Sequence, residues 1–154
     1  MTGIKTMTPT QQFIFDYLDY PIIPVRFKNK ERKTPLIEAL LDSGGDFIVI
    51  PFPIAKFLDL KLERACDVDT AGGTASLFKA NVDMTLGKDR KHCYYPQKEI
   101  HVSTREDIPV LLGRNPLFED YEITFKKHKN QLILQPLSTE HNYSNDEENN
   151  PDEM

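Results

Sequence analysis

Apolar and polar residues alternate along much of this chain, in short runs that end at polar turns. Over residues 78–86 every second position is apolar, which is the period of a strand with one buried face. Shorter apolar runs at residues 40–41 and 47–50 predict strands that are buried on one or both faces. Further strands are expected at residues 13–17, 23–27, 34–41, 100–102, 110–112, 121–125 and 132–134. The pattern therefore predicts an all-β domain.

Helical spacing is confined to short stretches. Residues 54–58 carry apolar side chains at helical spacing, with Pro53 near the first turn, and predict one short helix. A second short turn or helix is expected around residues 116–118. Residues 90–98 are polar and predict a loop, and residues 126–130 predict a turn.

Composition narrows the class of protein. At 154 residues the chain holds one domain, for which we expect residues 20–137, after an N-terminal segment of residues 1–19. The formal net charge of −5 disfavours a nucleic-acid binder, which needs a basic face. Residues 138–154 are acidic, contain one aromatic residue and predict a disordered tail.

The sequence also indicates the compartment. No apolar run is long enough to cross a bilayer and no secretory leader is evident, so we expect a cytoplasmic protein without a membrane partner. The two cysteines, Cys66 and Cys93, are too few for a disulfide scaffold and fit a reducing compartment.

Asp42 is the first candidate for chemistry. It follows the apolar residues 40–41 and precedes Ser43, Gly44 and Gly45, after which the chain turns apolar again. A carboxylate between two buried strands is costly unless it is hydrogen-bonded or shares a proton, and a chain that keeps one usually uses it. From these residues alone the alternative is a hairpin turn, because Asp, Ser and Gly are common turn residues.

A second segment, residues 109–117, is again an apolar strand that ends on glycine. With Leu-Leu-Asp-Ser-Gly at residues 40–44 and Leu-Leu-Gly-Arg-Asn at residues 111–115, the chain resembles the retropepsin-like aspartic proteases. The stretch of residues 90–107 is longer and more charged than in minimal viral members and looks more like the cellular, bacterial or archaeal type. The resemblance extends over roughly residues 20–136 and implies a small, closed β-barrel with little helix.

The resemblance implies an aspartic endopeptidase that hydrolyses peptide bonds in extended polypeptides. Such catalysis uses two neighbouring carboxylates that share one proton: one accepts a proton from water and the other donates to the scissile carbonyl. Because this chain has a single Asp-Ser-Gly, the second carboxylate would come from another copy, in a two-fold homodimer. The catalytic residues would then be Asp42, Ser43 and Gly44, with Ser43 bonded across the axis and Gly44 bonded to the substrate backbone.

The same resemblance assigns further residues of the site. A flap hairpin is implied over residues 69–77, and the substrate-binding residues would be Gly45, Asp46, Ala71, Gly72, Gly73 and Thr74. Gly113 and Arg114 would support the site, the arginine by pairing with Asp46. Without the resemblance, an ordinary surface hairpin and two independent surface charges are the alternatives.

Two details concern the surroundings of the site. Gly45 stands where the family most often has alanine, which should loosen the loop slightly. Apolar pocket walls are expected from Leu40, Ile48, Ile50, Ala75 and Ile108.

We expect no cofactor, and two other functions stay open. His92, Cys93 and His101 lack the spacing of a metal site. One alternative is a catalytically idle retropepsin-like module that binds extended peptides or only dimerises. The other is a metal-dependent hydrolase that uses Asp67, Asp69 and His92, although these residues lack ligand spacing on a helix.

Overall fold

The computed structural model describes residues 12–70, 73–88, 91–137 and 142–144. Its strands, in chain order, are β1 (Phe13–Asp16), β2 (Ile22–Asn29), β3 (Arg32–Lys33), β4 (Ile37–Leu41), β5 (Val49–Pro51), β6 (Glu63–Thr70), β7 (Gly73–Lys88), β8 (Lys91–Ser103), β9 (Leu111–Leu112), β10 (Tyr121–Lys126), β11 (Gln131–Pro136) and β12 (Asn142–Ser144). The described residues also form the helix α1 (Phe52–Phe57) and two shorter helical segments, Arg114–Phe118 and Lys127–Lys129.

Six of the strands close into a barrel. Neighbouring strands pair in the order β8, β5, β9, β4, β2 and β7, and β7 also pairs with β8, which completes the ring. Strand β6 extends from β7 as an antiparallel hairpin, while β3 and β12 add to β2 and β8. Strands β1, β11 and β10 form a separate three-stranded sheet. The expected all-β barrel is confirmed.

The core is built from the inward-facing residues of paired strands. Phe27 of β2 lies opposite Met84 of β7, and Val25 lies opposite Leu86. All four side chains are fully buried, and each contributes about 1.5–3 kcal/mol by leaving water. The alternating apolar residues that predicted β7 are therefore the residues that this wall of the barrel turns toward the core.

The predicted helix is confirmed as α1. Proline occupies its first turn, where a missing N–H costs no hydrogen bond. Its buried residue Ala55 packs in the core together with Leu58, the residue at which the helix ends. The N–H of Leu58 donates to the carbonyl of Ile54 at 3.0 Å, and the next residue, Asp59, leaves the helix with φ of 53°.

The loop expected at residues 90–98 is wrong from Lys91 onward, and residue 90 lies outside the described residues. Strand β8 runs from Lys91 to Ser103 and pairs with β7 on both sides of a register shift between Val82 and Met84. His92 and Tyr95 are buried although the stretch is polar. The long antiparallel strand β7 supplies backbone hydrogen bonds to β8 and shields it from solvent. This tertiary pairing outweighs the weak local preference of these residues for a strand.

The first and the last strand of the described residues add to the sheets. Strand β1 pairs with β11, and its side chains Phe13 and Phe15 are buried, with the ring of Phe13 edge-on to Tyr121 at 6.0 Å. In the segment for which composition predicts a disordered tail, Asn142–Ser144 pair with β8 as β12. The other residues after position 137 lie outside the described residues. Among the described residues, no helix is long and apolar enough to cross a membrane.

Candidate active site

The backbone around Asp42 is fixed by two parallel strands. Leu40 and Leu41 of β4 lie beside Leu111 and Leu112 of β9. The N–H of Asp42 donates to the carbonyl of Leu112 at 2.9 Å, one residue beyond the end of β4. Asp42 thus begins a loop at the point where the two strand segments predicted from the sequence come together.

The Asp42 side chain is half-buried in the single chain. Its Oδ1 accepts a hydrogen bond from the N–H of Gly44 at 3.1 Å, and the N–H of Gly45 donates to its backbone carbonyl at 3.3 Å. The dry surroundings expected from the flanking apolar runs are therefore absent from the single chain. The physical reason is that β4 ends at Leu41 and β5 begins only at Val49, so the carboxylate has left the sheet and can reach water.

Gly113 allows the end of β9 to lie directly against this loop. A Cβ at position 113 would be 2.4 Å from the carbonyl oxygen of Phe47 and 2.8 Å from that of Gly45. Beyond Gly113, the N–H of Arg114 donates to the carbonyl of Gly45 at 2.8 Å, and the N–H of Asn115 donates to that of Asp46 at 2.9 Å. The glycine is required here by the close approach of two backbones.

The ion pair that the resemblance implied between Asp46 and Arg114 is present. Both side chains are exposed, so the pair adds little to stability by itself. Together with the two backbone hydrogen bonds beside it, the pair ties the loop to the helical segment Arg114–Phe118. The position of the ion pair agrees with the expectation that Arg114 supports the Asp42 loop.

The remaining residues of the loop are arranged around the carboxylate. Ser43 is exposed, and its hydroxyl has no hydrogen-bond partner in the described part of the chain. A Cβ at Gly44 would lie in ordinary contact with Oδ1 of Asp42, at 3.5 Å, but one at Gly45 would lie only 3.1 Å from Oδ2. The glycine at position 45 therefore leaves the carboxylate more room than alanine would.

The hairpin expected at residues 69–77 is formed by β6 and β7. Thr70 lies opposite Gly73, which has φ of +115°, and a Cβ at Gly73 would meet no atom of the other described residues within 4 Å. The hydroxyl of Thr74 donates to Oδ1 of Asp69 at 3.2 Å, so a polar bridge crosses the two strands. Ala71 and Gly72, the other predicted tip residues, lie outside the described residues.

The hairpin carries a second cross-strand bridge, two residues farther from its tip. The hydroxyl of Ser76 donates to Asp67 at 2.6 Å, and Arg64 forms an ion pair with the same carboxylate at 3.1 Å. The hydrogen bond from Ser76 and the charge of Arg64 hold the pKa of Asp67 below its usual value. The carboxylate of Asp67 is thus bound by Ser76 and Arg64 within the hairpin.

The pocket walls predicted from the apolar run need correction. Ile48 and Ile50 are fully buried in the core, so they do not line a pocket of the single chain. Leu40 and Ile108 are half-buried. The side chain of Ala75 lies outside the part of the structure that is described. The register of β5, which the apolar run alone does not reveal, decides these orientations.

Phe47 and His101 were not predicted as a feature of the site. The ring of Phe47 is 39% exposed and stands edge-on to the imidazole of His101, with ring centres 4.8 Å apart. Burial lowers the pKa of His101 and Lys79 lowers it further, whereas Glu99 opposes the shift. Residues 47–50 are all apolar, so the sequence by itself gives no signal that Phe47 faces outward while Ile48 is buried.

The structure does not group Asp67, Asp69 and His92, the residues considered for a metal site. Asp67 and Asp69 are held in the β6–β7 hairpin by Ser76 and Thr74, whereas His92 is buried on β8 opposite Gly87. Within residues 12–70, 73–88, 91–137 and 142–144, no three or more His, Cys, Asp or Glu side chains are grouped so that they could hold a metal ion.

Comparisons with known proteins identify the architecture. No protein-family model and no curated protein matches the chain. A retropepsin-like aspartic protease from Rickettsia conorii superposes with a TM-score of 0.59 at 20% identity, covering 81% of this chain and 99% of that chain. The retroviral protease-like domain of Ddi1 from Leishmania major superposes with a TM-score of 0.50 at 14% identity, covering 78% of this chain and 95% of that chain. At such identities the similarity establishes the fold alone.

Proposed function

We propose that this chain, which has the retropepsin-like fold, is a homodimeric aspartic endopeptidase that hydrolyses peptide bonds in extended polypeptides. The observation that carries the proposal is the setting of Asp42. Its carboxylate can reach solvent, one oxygen is held by the N–H of Gly44, and the backbone of its loop is bonded to the segment around Gly113. A carboxylate that is fixed in place and accessible can take part in proton transfer.

In the proposed dimer, Asp42 of each chain supplies one carboxylate of a pair that shares a proton. The ionised carboxylate accepts a proton from water as the water attacks the scissile carbonyl carbon, and the protonated one donates its proton to the carbonyl oxygen. Ser43, whose hydroxyl has no partner in the described part of the single chain, would bond to the facing loop. Collapse of the tetrahedral intermediate, with a proton passed to the leaving nitrogen, completes the hydrolysis.

The substrate would bind as an extended strand between the barrel and the β6–β7 hairpin. Gly73, whose missing Cβ would meet no atom of the other described residues within 4 Å, would allow backbone approach near the hairpin tip. Gly44 would contact the substrate backbone, and Gly45, Asp46, Ala71, Gly72 and Thr74 would complete the substrate-binding set. Gly113 and Arg114 would hold the loop in position.

The test is digestion of a peptide library by the wild-type chain and by Asp42→Asn in parallel. We expect the substitution to abolish cleavage, because it removes the shared proton and the charge while it keeps the shape of the side chain. Asp59→Asn, at an exposed carboxylate after α1, is the matched control and should keep full activity. Residual cleavage by Asp42→Asn above about one part in a thousand would remove Asp42 from the mechanism.

One observation favours the idle module as a second candidate. Because Asp42 is half-buried in the single chain, its retention costs little stability even without catalysis. An idle module would form the dimer and bind extended peptides without cutting them. Failure of a pepstatin-like inhibitor to bind a sample that sediments as a dimer would favour this candidate over the enzyme.

A further inference from the structure

A groove of about 490 Å³ lies on the outer surface beside β2 and β4, and Leu18, Tyr20, Ile22 and Leu36 line part of it. Leu18 is 62% exposed, Tyr20 66% and Leu36 42%. Leu18 and Tyr20 lie in the loop before β2, and Leu36 lies in the loop before β4, so these large apolar side chains leave surface that a partner can cover. The groove is comparable in volume with pockets that hold small ligands or a short peptide segment.

The groove also carries an unbalanced charge. Asp16, Asp19 and Glu38 contribute carboxylates to its lining, and Lys88 contributes a single positive charge. Within the described residues, none of these carboxylates forms an ion pair. The groove therefore combines exposed apolar side chains with a net negative lining.

We propose that this groove binds a polypeptide segment of a partner that is both apolar and basic. Apolar side chains of the partner would cover Leu18, Tyr20 and Leu36, and its lysine or arginine residues would pair with Asp19 and Glu38. A second copy that presents the same face would bring the two sets of carboxylates together, and this repulsion disfavours self-association there. The occupant is therefore a chain of opposite charge.

The groove adjoins the loop that carries Asp42. The carbonyl of Pro21, which follows Tyr20, accepts a hydrogen bond from the N–H of Leu41 at 2.9 Å. A segment held in the groove would lie close to the start of the Asp42 loop. Any role of the groove in delivering substrate depends on the proposed function, but binding itself does not.

The experiment measures fluorescence anisotropy of labelled peptides with the full chain carrying Asp42→Asn, so that no peptide is cut. The first peptide contains leucines and lysines separated by serines, and two matched peptides replace lysine by glutamate or leucine by serine. We expect only the leucine and lysine peptide to bind, and more weakly as salt is raised. Asp19→Asn combined with Glu38→Gln should weaken this binding about fivefold, the effect of two partly exposed ion pairs.

Further variants separate the apolar contribution from the charge. Leu36→Ser should also weaken binding. Glu31→Gln combined with Glu122→Gln removes two exposed carboxylates outside the groove and should leave binding unchanged. Thermal melts of each variant establish that a loss of binding is not a loss of folding.

The proposal is overturned if no peptide binds, if the glutamate peptide binds equally well, or if neutralising Asp19 and Glu38 has no effect. It is also overturned if Tyr20→Ser and Leu36→Ser convert a dimer to monomers in sedimentation, because a second copy would then be the occupant. Cleavage of a neutral peptide by the wild-type chain tests the protease separately, so either proposal can fail while the other stands.

Discussion

Replacement of Gly113 by alanine tests how closely the Asp42 loop is packed. The new Cβ would lie 2.4 Å from the carbonyl oxygen of Phe47, 2.7 Å from its nitrogen and 2.8 Å from the carbonyl oxygen of Gly45. All three are backbone atoms, so no side chain can rotate away. The end of β9 and the loop must separate by about 1 Å to restore ordinary van der Waals contact.

Gly113→Ala should lower the free energy of unfolding for two reasons. Overpacking of this kind destabilises a protein by about 1–3 kcal/mol. The same displacement strains the hydrogen bonds from the N–H groups of Arg114 and Asn115 to the loop, each of which contributes about 1 kcal/mol. We expect a combined loss of about 3 kcal/mol, which lowers the melting temperature by about 10 °C for a chain of this size.

Urea and thermal unfolding followed by circular dichroism measure this loss. Gly44→Ala is the control for stability, because its Cβ would meet Oδ1 of Asp42 at an ordinary 3.5 Å, and we expect a change below about 1 kcal/mol. If Gly113→Ala melts within a degree or two of the wild type, or no lower than Gly44→Ala, the proposed backbone packing is refuted.

Other measurements test the dimer, the ion pair and the histidine. Dilution should lower activity per chain, because each active site needs two chains; sedimentation that shows a fully active monomer would contradict this. A double-mutant cycle on Asp46 and Arg114 should give a coupling below about 1 kcal/mol, since the side chains are 65% and 55% exposed. A larger coupling would show that the dimer buries the pair. The pKa of His101 is lowered from 6.5, so the unfolded chain binds more protons than the folded chain as pH falls through that value. Acidification should therefore reduce the free energy of unfolding, and less so for His101→Gln; equal slopes would exclude this contribution.

Some features of the fold and the site could be predicted because their cause is local. The alternation of apolar and polar residues over positions 78–86 predicted β7. Successive side chains of a strand in a barrel wall point in turn into the core and out to solvent. Pro53 and the apolar spacing after it predicted α1. Asp42 and Gly113 were predicted by their motifs, and the structure brings the two segments into contact.

Other features depend on partners that are distant in sequence. The polar residues after Lys91 form a strand because β7 lies beside them, and nothing within the stretch itself indicates this. Phe47 faces outward while Ile48 and Ile50 are buried, because the register of β5 between β8 and β9 decides the orientation. Local propensity and hydrophobicity carry no information about that register.

The sequence by itself determined the class of fold and the residue that carries the candidate chemistry, because burial patterns and turn residues act over a few neighbouring positions. Only the tertiary structure decided the surroundings of that residue. Asp42 is half-buried because β4 ends directly before it, and its loop is held by an ion pair between residues 68 positions apart. The physical reason is that accessibility and close backbone packing are properties of segments that meet in space, whereas a sequence pattern describes only segments that adjoin along the chain.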